Sequence, residues 1–105
     1  MKKPEECLDL KDVRCGIDAM DREIMELLGR RLGYVLAAAQ FKPTEASIAA
    51  PERVADMLVE RKAWARDCGL PERFATDVFP HIIYWYIAEQ TAYWRKKHGL
   101  PEVGR

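Results

Sequence analysis

A long apolar seam opens the chain and limits what it can fold into. Between Leu10 and Phe41, apolar side chains recur at alternating steps of three and four residues, the spacing that aligns them along one side of an α-helix. The series comprises Leu10, Val13, Ile17, Met20, Ile24, Leu27, Tyr34, Ala38 and Phe41. Such a helix is roughly 48 Å long at 1.5 Å per residue, whereas globular helices average about 11 to 12 residues. We therefore expect this helix to bury its seam against another chain.

One position of the seam carries a cation, Arg31, where packing favours leucine. A lone polar residue in a seam commonly fixes the register of two helices or reaches solvent by snorkelling. A functional role gains support when several polar side chains converge. Lys42 follows Arg31 by eleven residues, which is three helical turns to within about 20°, so both side chains point the same way. Both interpretations of Arg31 stay open at this point.

Prolines and glycines divide the rest of the chain into two further helices. Pro43 ends the first helix because the residue before a proline is steered away from helical geometry. Pro51 suits the first turn of a second helix that stops at Gly69, and Pro71 opens a third. We predict helices at about 10–41, 51–68 and 71–98, a loop at about 42–50 and a single domain over 1–105. No strand-like alternation is present, so the predicted class is all-α.

The third helix also carries a polar residue in its apolar stripe. The stripe comprises Phe79, Ile83, Tyr86, Gln90 and Tyr93. Gln90, like Arg31, stands where packing favours an apolar side chain. The neighbouring aromatic residues are Tyr84, Trp85, Tyr86, Tyr93 and Trp94. Their helical spacing favours core packing over the stacking of nucleic-acid bases.

Composition excludes several classes of protein. Among 105 residues, 17 basic side chains balance 17 acidic ones, so no overall field draws the chain to nucleic acid or anionic lipid. The amino terminus carries acids where a signal peptide needs an apolar run, and no apolar stretch is long enough to span a membrane. The three cysteines lack the C-x-x-C spacing of a zinc site and are odd in number. We therefore expect a cytoplasmic protein without a metal site.

A two-fold dimer would bring distant cations together. Arg14 precedes Arg31 by seventeen residues, about 25 Å along one helix, so one small molecule cannot touch both in a single chain. Two long helices paired antiparallel would place Arg14 of one chain near Arg31 of the other. Each guanidinium can hold a carboxylate through two hydrogen bonds. With Lys42 and Gln90 nearby, such a pocket suits a small dicarboxylate.

These residues match a known family. The pattern R-x16-R-x10-K-x10-R-x36-Q, formed by Arg14, Arg31, Lys42, Arg53 and Gln90, resembles the active-site set of the all-helical chorismate mutases. The similarity extends over about residues 10–97. Within that family, FKPTEASIAAPERVADML and IIYWYIAEQTAYWR are most similar to the isochorismate-pyruvate lyases that form salicylate for pyochelin-type siderophores.

The resemblance implies a three-helix protomer in an intertwined homodimer, with Arg14 contributed to each site by the partner chain. It implies that Arg14 and Arg31 bind the two carboxylates of isochorismate, that Arg53 assists at the pocket edge, and that the catalytic residues Lys42 and Gln90 flank the ether oxygen. The implied reaction is a pericyclic elimination of pyruvate, which uses no metal and no organic cofactor.

Two departures from the mutase pattern favour the lyase. Many mutases follow the arginine of the second helix with a glutamate that binds the substrate hydroxyl, whereas Val54 follows Arg53 here. Tyr86 stands where mutases often carry a small polar residue. Isochorismate bears its hydroxyl at a different ring carbon from chorismate, so the lyase does not need that glutamate. Chorismate mutase, as main or side activity, and a non-catalytic helical dimerisation or regulatory module are the alternatives.

Overall fold

The structure, a computed structural model, describes residues 2–102 of the chain. Within them the chain forms three α-helices: α1 (Leu10–Ala38), α2 (Pro51–Asp67) and α3 (Arg73–Lys97). Short 3-10 turns lie at Pro4–Glu6, Ala39–Phe41 and Glu45–Ile48. No strand occurs in this described part. The predicted all-α class with one long N-terminal helix is therefore confirmed.

The described chain divides into two compact units, residues 2–34 and 35–102. The first unit begins with a capped helix. Asp9 caps α1, because its Oδ1 accepts the amide of Asp12 at 2.8 Å, and the Asp12 Oδ2 accepts the amide of Leu8 at 3.0 Å. The Lys2 ammonium donates to the same carboxylate oxygen of Asp12. This ammonium, and then the Leu8 amide, lower the pKa of Asp12 below its ordinary value.

We expect Asp9→Ala to lower the free energy of unfolding by about 1 kcal/mol, the usual effect of losing an N-cap acceptor. Denaturant unfolding at one fixed chain concentration measures this. The control is Asp18→Ala, which removes an exposed aspartate from the interior of α1. Equal effects of the two substitutions would contradict the capping role of Asp9.

The seam of α1 is exposed in the single chain. Relative exposure is 58% at Leu10, 53% at Ile17, 52% at Ile24 and 57% at Leu27, and α1 contains no buried residue. Arg31 is more covered than these apolar neighbours: it is half-buried, and its Nη1 atom is buried. Contiguous apolar surface of this extent is typical of an interface.

The second unit holds the buried core. Its buried residues are Ala39, Ile48, Met57, Ala65, Ala75, Ile83, Tyr86, Gln90 and Trp94. In the predicted stripe on α3, Ile83, Tyr86 and Gln90 are buried and Phe79 is half-buried, but Trp94 is buried in the place given to Tyr93. The reason is the helix period. Ile83 to Trp94 is eleven residues, three turns at about 3.6 residues per turn, whereas the predicted stripe followed the shorter heptad spacing.

The expectation of core packing for the aromatic residues of α3 is only partly correct. Tyr86 and Trp94 are buried, but Tyr84 is 61% exposed and Trp85 is 53% exposed. Trp85 contacts Tyr86 edge to face, with ring centroids 5.3 Å apart. The exposed faces of Tyr84 and Trp85 point away from the core of this unit.

Glycines in the left-handed conformation end α2 and α3 in the same way. Gly69 has φ +78° and Gly99 has φ +67°. In each case the following leucine donates its amide to a carbonyl five residues back, Leu70 to Ala65 at 2.8 Å and Leu100 to Arg95 at 2.9 Å, which is the Schellman motif.

These glycine turns explain where the helix ends differ from the predicted ones. Cys68 and His98 are C-caps with φ near −90°, so they lie just outside the helices that the sequence analysis extended to them.

Two other helix ends also differ from the predicted ones. At the start of α3, residues 71 and 72 form a turn before Arg73. At the end of α1, residues 39–41 tighten to 3-10 geometry, and the predicted loop contains the turn Glu45–Ile48.

Candidate active site

Lys42 lies where the chain leaves the first helix. Its amide donates to the Ala39 carbonyl at 3.1 Å, and its backbone is extended, with φ −95° and ψ 112°. The side chain is half-buried, and Nζ donates to the carbonyl of Ser47 at 3.4 Å. This distance is long for an N–H···O hydrogen bond. The ammonium can therefore exchange this partner for a ligand oxygen at small cost.

Gln90 is buried, with 5% relative exposure. Its Nε2 donates to the carbonyl of Val35 at 2.8 Å. Val35 belongs to the last turn of α1, whose carbonyls have no amide partner within the α-helix. Gln90 therefore caps α1, which fixes the orientation of its amide. The second Nε2 hydrogen and Oε1 are the groups with which Gln90 can contact a ligand.

Helix α3 brings Lys42 and Gln90 to one place in the second unit. Trp94 lies one turn after Gln90, and its indole Nε1 donates to the carbonyl of Lys42 at 2.9 Å. Residues four apart share one helix face, so this face of α3 binds the segment from Val35 to Lys42 at both ends. Trp94 is buried and stacks on His98, with ring centroids 3.8 Å apart.

The three predicted arginines lie on α1 and α2. Arg14 is exposed on α1 and Arg31 is half-buried on the same helix, about 25 Å away by helical rise. Arg53 is exposed in the first turn of α2, directly after Pro51 and Glu52. Single guanidinium groups on helices are well suited to bind carboxylates, because their N–H donors match the two oxygens.

Three of the cavities within residues 2–102 each lie inside one unit, and none of these three is lined by the five predicted site residues. A cavity of about 400 Å³ in the first unit lies between the N-terminal segment and α1. Two cavities in the second unit, about 370 and 750 Å³, lie along α3 near Tyr93.

Sequence reasoning missed three residues around Lys42. Trp94 was assigned to the core without its hydrogen bond, although its position four residues after Gln90 was a usable signal. Arg95 was given no role, yet its Nη1 donates to both oxygens of Glu45, at 2.9 and 2.8 Å. These two residues are fifty apart in sequence, and no local pattern connects them.

Residues 2–102 contain no group of three or more His, Cys, Asp or Glu side chains placed to hold a metal ion. None of the helices in this range combines the length and apolar character needed to cross a membrane.

Comparison with known proteins identifies the family. The family described as chorismate mutase type II matches residues 13–91. The isochorismate pyruvate lyase of Pseudomonas aeruginosa is 54% identical over 99 residues, which cover 94% of this chain and 98% of that protein. A T-protein of Haemophilus influenzae is 37% identical over 70 residues, or 66% of this chain and 19% of that protein. The chain therefore belongs to the chorismate mutase type II family, which confirms the resemblance found in its sequence.

Proposed function

We propose that the protein is an isochorismate pyruvate lyase, which converts isochorismate to salicylate and pyruvate. The observation that carries this proposal is the 54% identity to the Pseudomonas aeruginosa lyase over 94% of the chain. The residues of the predicted site, Arg14, Arg31, Lys42, Arg53 and Gln90, are all present in one pattern, and the half-buried ammonium and buried amide of the second unit suit a polar ligand.

The proposed reaction needs no co-reactant. The bond between the ring carbon and the ether oxygen breaks, and a ring hydrogen moves to the methylene carbon of the enolpyruvyl group. That carbon becomes the methyl group of pyruvate, the ether oxygen becomes its keto oxygen, and the ring becomes aromatic. Salicylate and pyruvate together contain all the atoms of isochorismate, so the protein need only bind, orient and stabilise charge.

Lys42 is proposed to stabilise the ether oxygen. Negative charge grows on this oxygen as its bond to the ring lengthens, and a preformed ammonium donor binds the transition state more strongly than the ground state. The long hydrogen bond from Nζ to the Ser47 carbonyl supports this role, because it holds the ammonium in place without satisfying it strongly. Gln90 is proposed to contact the same oxygen through its second Nε2 hydrogen.

The arginines are proposed to bind the carboxylates. Arg31 and the partner chain's copy of Arg14 each hold one carboxylate, and Arg53 assists at the edge of the pocket. The exposed seam of α1 supports an intertwined homodimer, since a two-fold axis would cover the seam and complete each site. We also propose that residues 1–105 act as one chorismate mutase-like domain in this dimer.

The dimer makes a quantitative prediction about mixed subunits. Arg14→Ala and Lys42→Ala variants are each expected to lose nearly all activity. After unfolding and refolding an equal mixture, half of the dimers carry one chain of each type, and one of the two sites in those dimers is intact. We expect about one quarter of the wild-type activity. If both residues of a site came from the same chain, mixing would restore nothing.

The function is tested by assaying two substrates separately. The purified protein is mixed with isochorismate or with chorismate, without added metal or cofactor, and salicylate, pyruvate and prephenate are measured. Rapid release of salicylate and pyruvate from isochorismate is expected. Prephenate from chorismate alone would make the protein a chorismate mutase, the candidate supported by the family match over residues 13–91. Binding without any product would make it a non-catalytic module.

The cellular setting is proposed from the same relationships. We propose that the salicylate is used in the synthesis of a siderophore of the pyochelin type. A reducing cytoplasm is the proposed location, since Cys7, Cys15 and Cys68 are all free thiols in the structure, as expected where disulfides are rare.

A further inference from the structure

We infer that Trp94 and the ion pair between Glu45 and Arg95 are positioning residues that set where the Lys42 ammonium lies. The inference rests on the proposed function, because it assigns these residues a role in the same reaction. None of the three is expected to touch the substrate. They act through the backbone of Lys42 and of the segment that follows it, which we call the 42–48 loop.

The first anchor of this loop is the carbonyl of Lys42 itself. The Trp94 indole Nε1 donates to it at 2.9 Å from a side chain that is only 7% exposed. Stacking on His98 holds the indole ring, and the His98 ring nitrogen Nδ1 lies 2.8 Å from the carbonyl of Trp94. Because burial and the stacked His98 ring hold the indole, it cannot follow a movement of Lys42. Its hydrogen bond therefore fixes the backbone at Lys42.

The second anchor is the ion pair three residues further on. Arg95 Nη1 contacts both carboxylate oxygens of Glu45, and its Nε donates to the carbonyl of Pro101 at 2.8 Å. The Arg95 side chain is 19% exposed and that of Glu45 is 40% exposed. Because the segment after α3 holds the guanidinium from its other side, the guanidinium is already oriented when Glu45 binds it.

The loop between and beyond these anchors is stiff. The amide of Ser47 donates to the Thr44 Oγ1 at 3.2 Å, and the Ser47 hydroxyl donates to the Thr44 carbonyl at 2.6 Å. Ile48 is 3% exposed and packs with Ala39 and Trp94. The carbonyl that accepts from Lys42 Nζ belongs to Ser47. The ammonium therefore binds a turn that is fixed at Lys42 by Trp94 and at Ile48 by core packing.

Both anchors, Trp94 and Arg95, belong to the last turns of α3, the helix that also carries Gln90. The distance between the two proposed catalytic groups is therefore set by one helix and not by the loop alone. Displacing a catalytic group by about 1 Å can lower a rate by up to about a hundredfold. Because the Glu45 carboxylate is open to solvent on one side, the ion pair adds little to stability. Its removal is therefore expected to reduce turnover while changing the free energy of unfolding only slightly.

The test is a double-mutant cycle with Lys42. Arg95→Met is expected to lower kcat on isochorismate about tenfold, with KM changed less than about twofold, since the proposed carboxylate-binding arginines are untouched. In a Lys42→Ala background the same substitution is expected to have no further effect. Trp94→Phe, which keeps a ring but removes the N–H donor, is expected to change kcat and KM in the same way as Arg95→Met in both backgrounds. The charge reversal Glu45→Arg with Arg95→Glu is expected to recover most of the lost kcat.

The control is Arg66→Met, which breaks an ion pair of the same length, Arg66 Nη1 to Glu72 Oε1 at 2.8 Å, at the α2–α3 turn. It is expected to leave kcat unchanged. An Arg95→Met loss that is equally large with and without Lys42 would overturn the inference, because Arg95 would then not act through Lys42. An unchanged kcat in Arg95→Met would overturn it as well.

A second measurement separates this inference from the proposed function. Amide hydrogen exchange at residues 44–50 needs no substrate, and Arg95→Met is expected to raise it while Arg66→Met does not. If the wild-type protein turns over neither isochorismate nor chorismate, the proposed function fails, and faster exchange would still establish the anchoring of the loop. Equal exchange in Arg95→Met and wild type would overturn the anchoring itself.

Discussion

Replacing Lys42 with alanine is expected to lower the rate of the chemical step at least about a hundredfold. Removing one preformed donor from a developing oxyanion commonly costs about 2.7 to 4 kcal/mol of transition-state stabilisation, and each ~1.4 kcal/mol is a factor of ten in rate. Lys42 is half-buried, with Nζ 3.4 Å from the Ser47 carbonyl, so the alanine variant removes a charge that the surrounding protein holds in place.

Single-turnover formation of salicylate measures this change, because product release does not contribute to it. Lys96→Ala is the matched control, since it removes an exposed ammonium from α3. The control is expected to react at the wild-type rate. A Lys42→Ala enzyme as fast as wild type would remove Lys42 from the mechanism, whatever the function of the protein.

Arg31→Leu is expected to separate activity from stability. Leucine is the residue that the seam of α1 favours, so the free energy of unfolding should stay the same or rise. Losing one partner of a buried, hydrogen-bonded charge pair costs about 2 to 5 kcal/mol in binding, so kcat/KM on isochorismate should fall at least about thirtyfold. Arg30→Leu, which removes the exposed neighbouring guanidinium, is the control.

Sedimentation of the Arg31→Leu variant distinguishes the two interpretations of this residue. If Arg31 only binds a substrate carboxylate, its replacement leaves the dimer intact. A residue that fixes helix register would, when replaced, change the oligomeric state or broaden it. An Arg31→Leu protein with a changed oligomeric state and unaltered kcat/KM would therefore show that Arg31 sets register and does not bind substrate.

The elements that the sequence predicted are those controlled by local chemistry. Asp9 stands directly before α1, where aspartate is a preferred N-cap, and the structure places the Asp12 amide on the Asp9 carboxylate. Gln90 was predicted to lie in the apolar stripe of α3 and is buried there. Glycines at 69 and 99 end helices because their positive φ suits no other residue as well.

What the sequence left out depends on contacts between distant segments. The pairing of Glu45 with Arg95 joins a turn to the last turns of α3, and neither charge stands out among the 34 charged side chains, 17 of each sign. The burial of Trp94 in place of Tyr93 depended on the difference between 3.5 and about 3.6 residues per turn, which matters only after several turns. The positions of Arg14, Arg31 and Arg53 in one site stay a prediction, because Arg14 is expected to come from a second chain.

Transfer of a ring hydrogen to pyruvate tests the central claim most directly. Isochorismate carrying deuterium on the ring carbon that loses its hydrogen is converted by the protein in ordinary water, and the pyruvate is analysed by mass spectrometry. We predict one deuterium in the methyl group of every pyruvate molecule, released together with unlabelled salicylate. Unlabelled pyruvate with deuterium lost to solvent would contradict the concerted transfer, and the absence of pyruvate would contradict the lyase assignment.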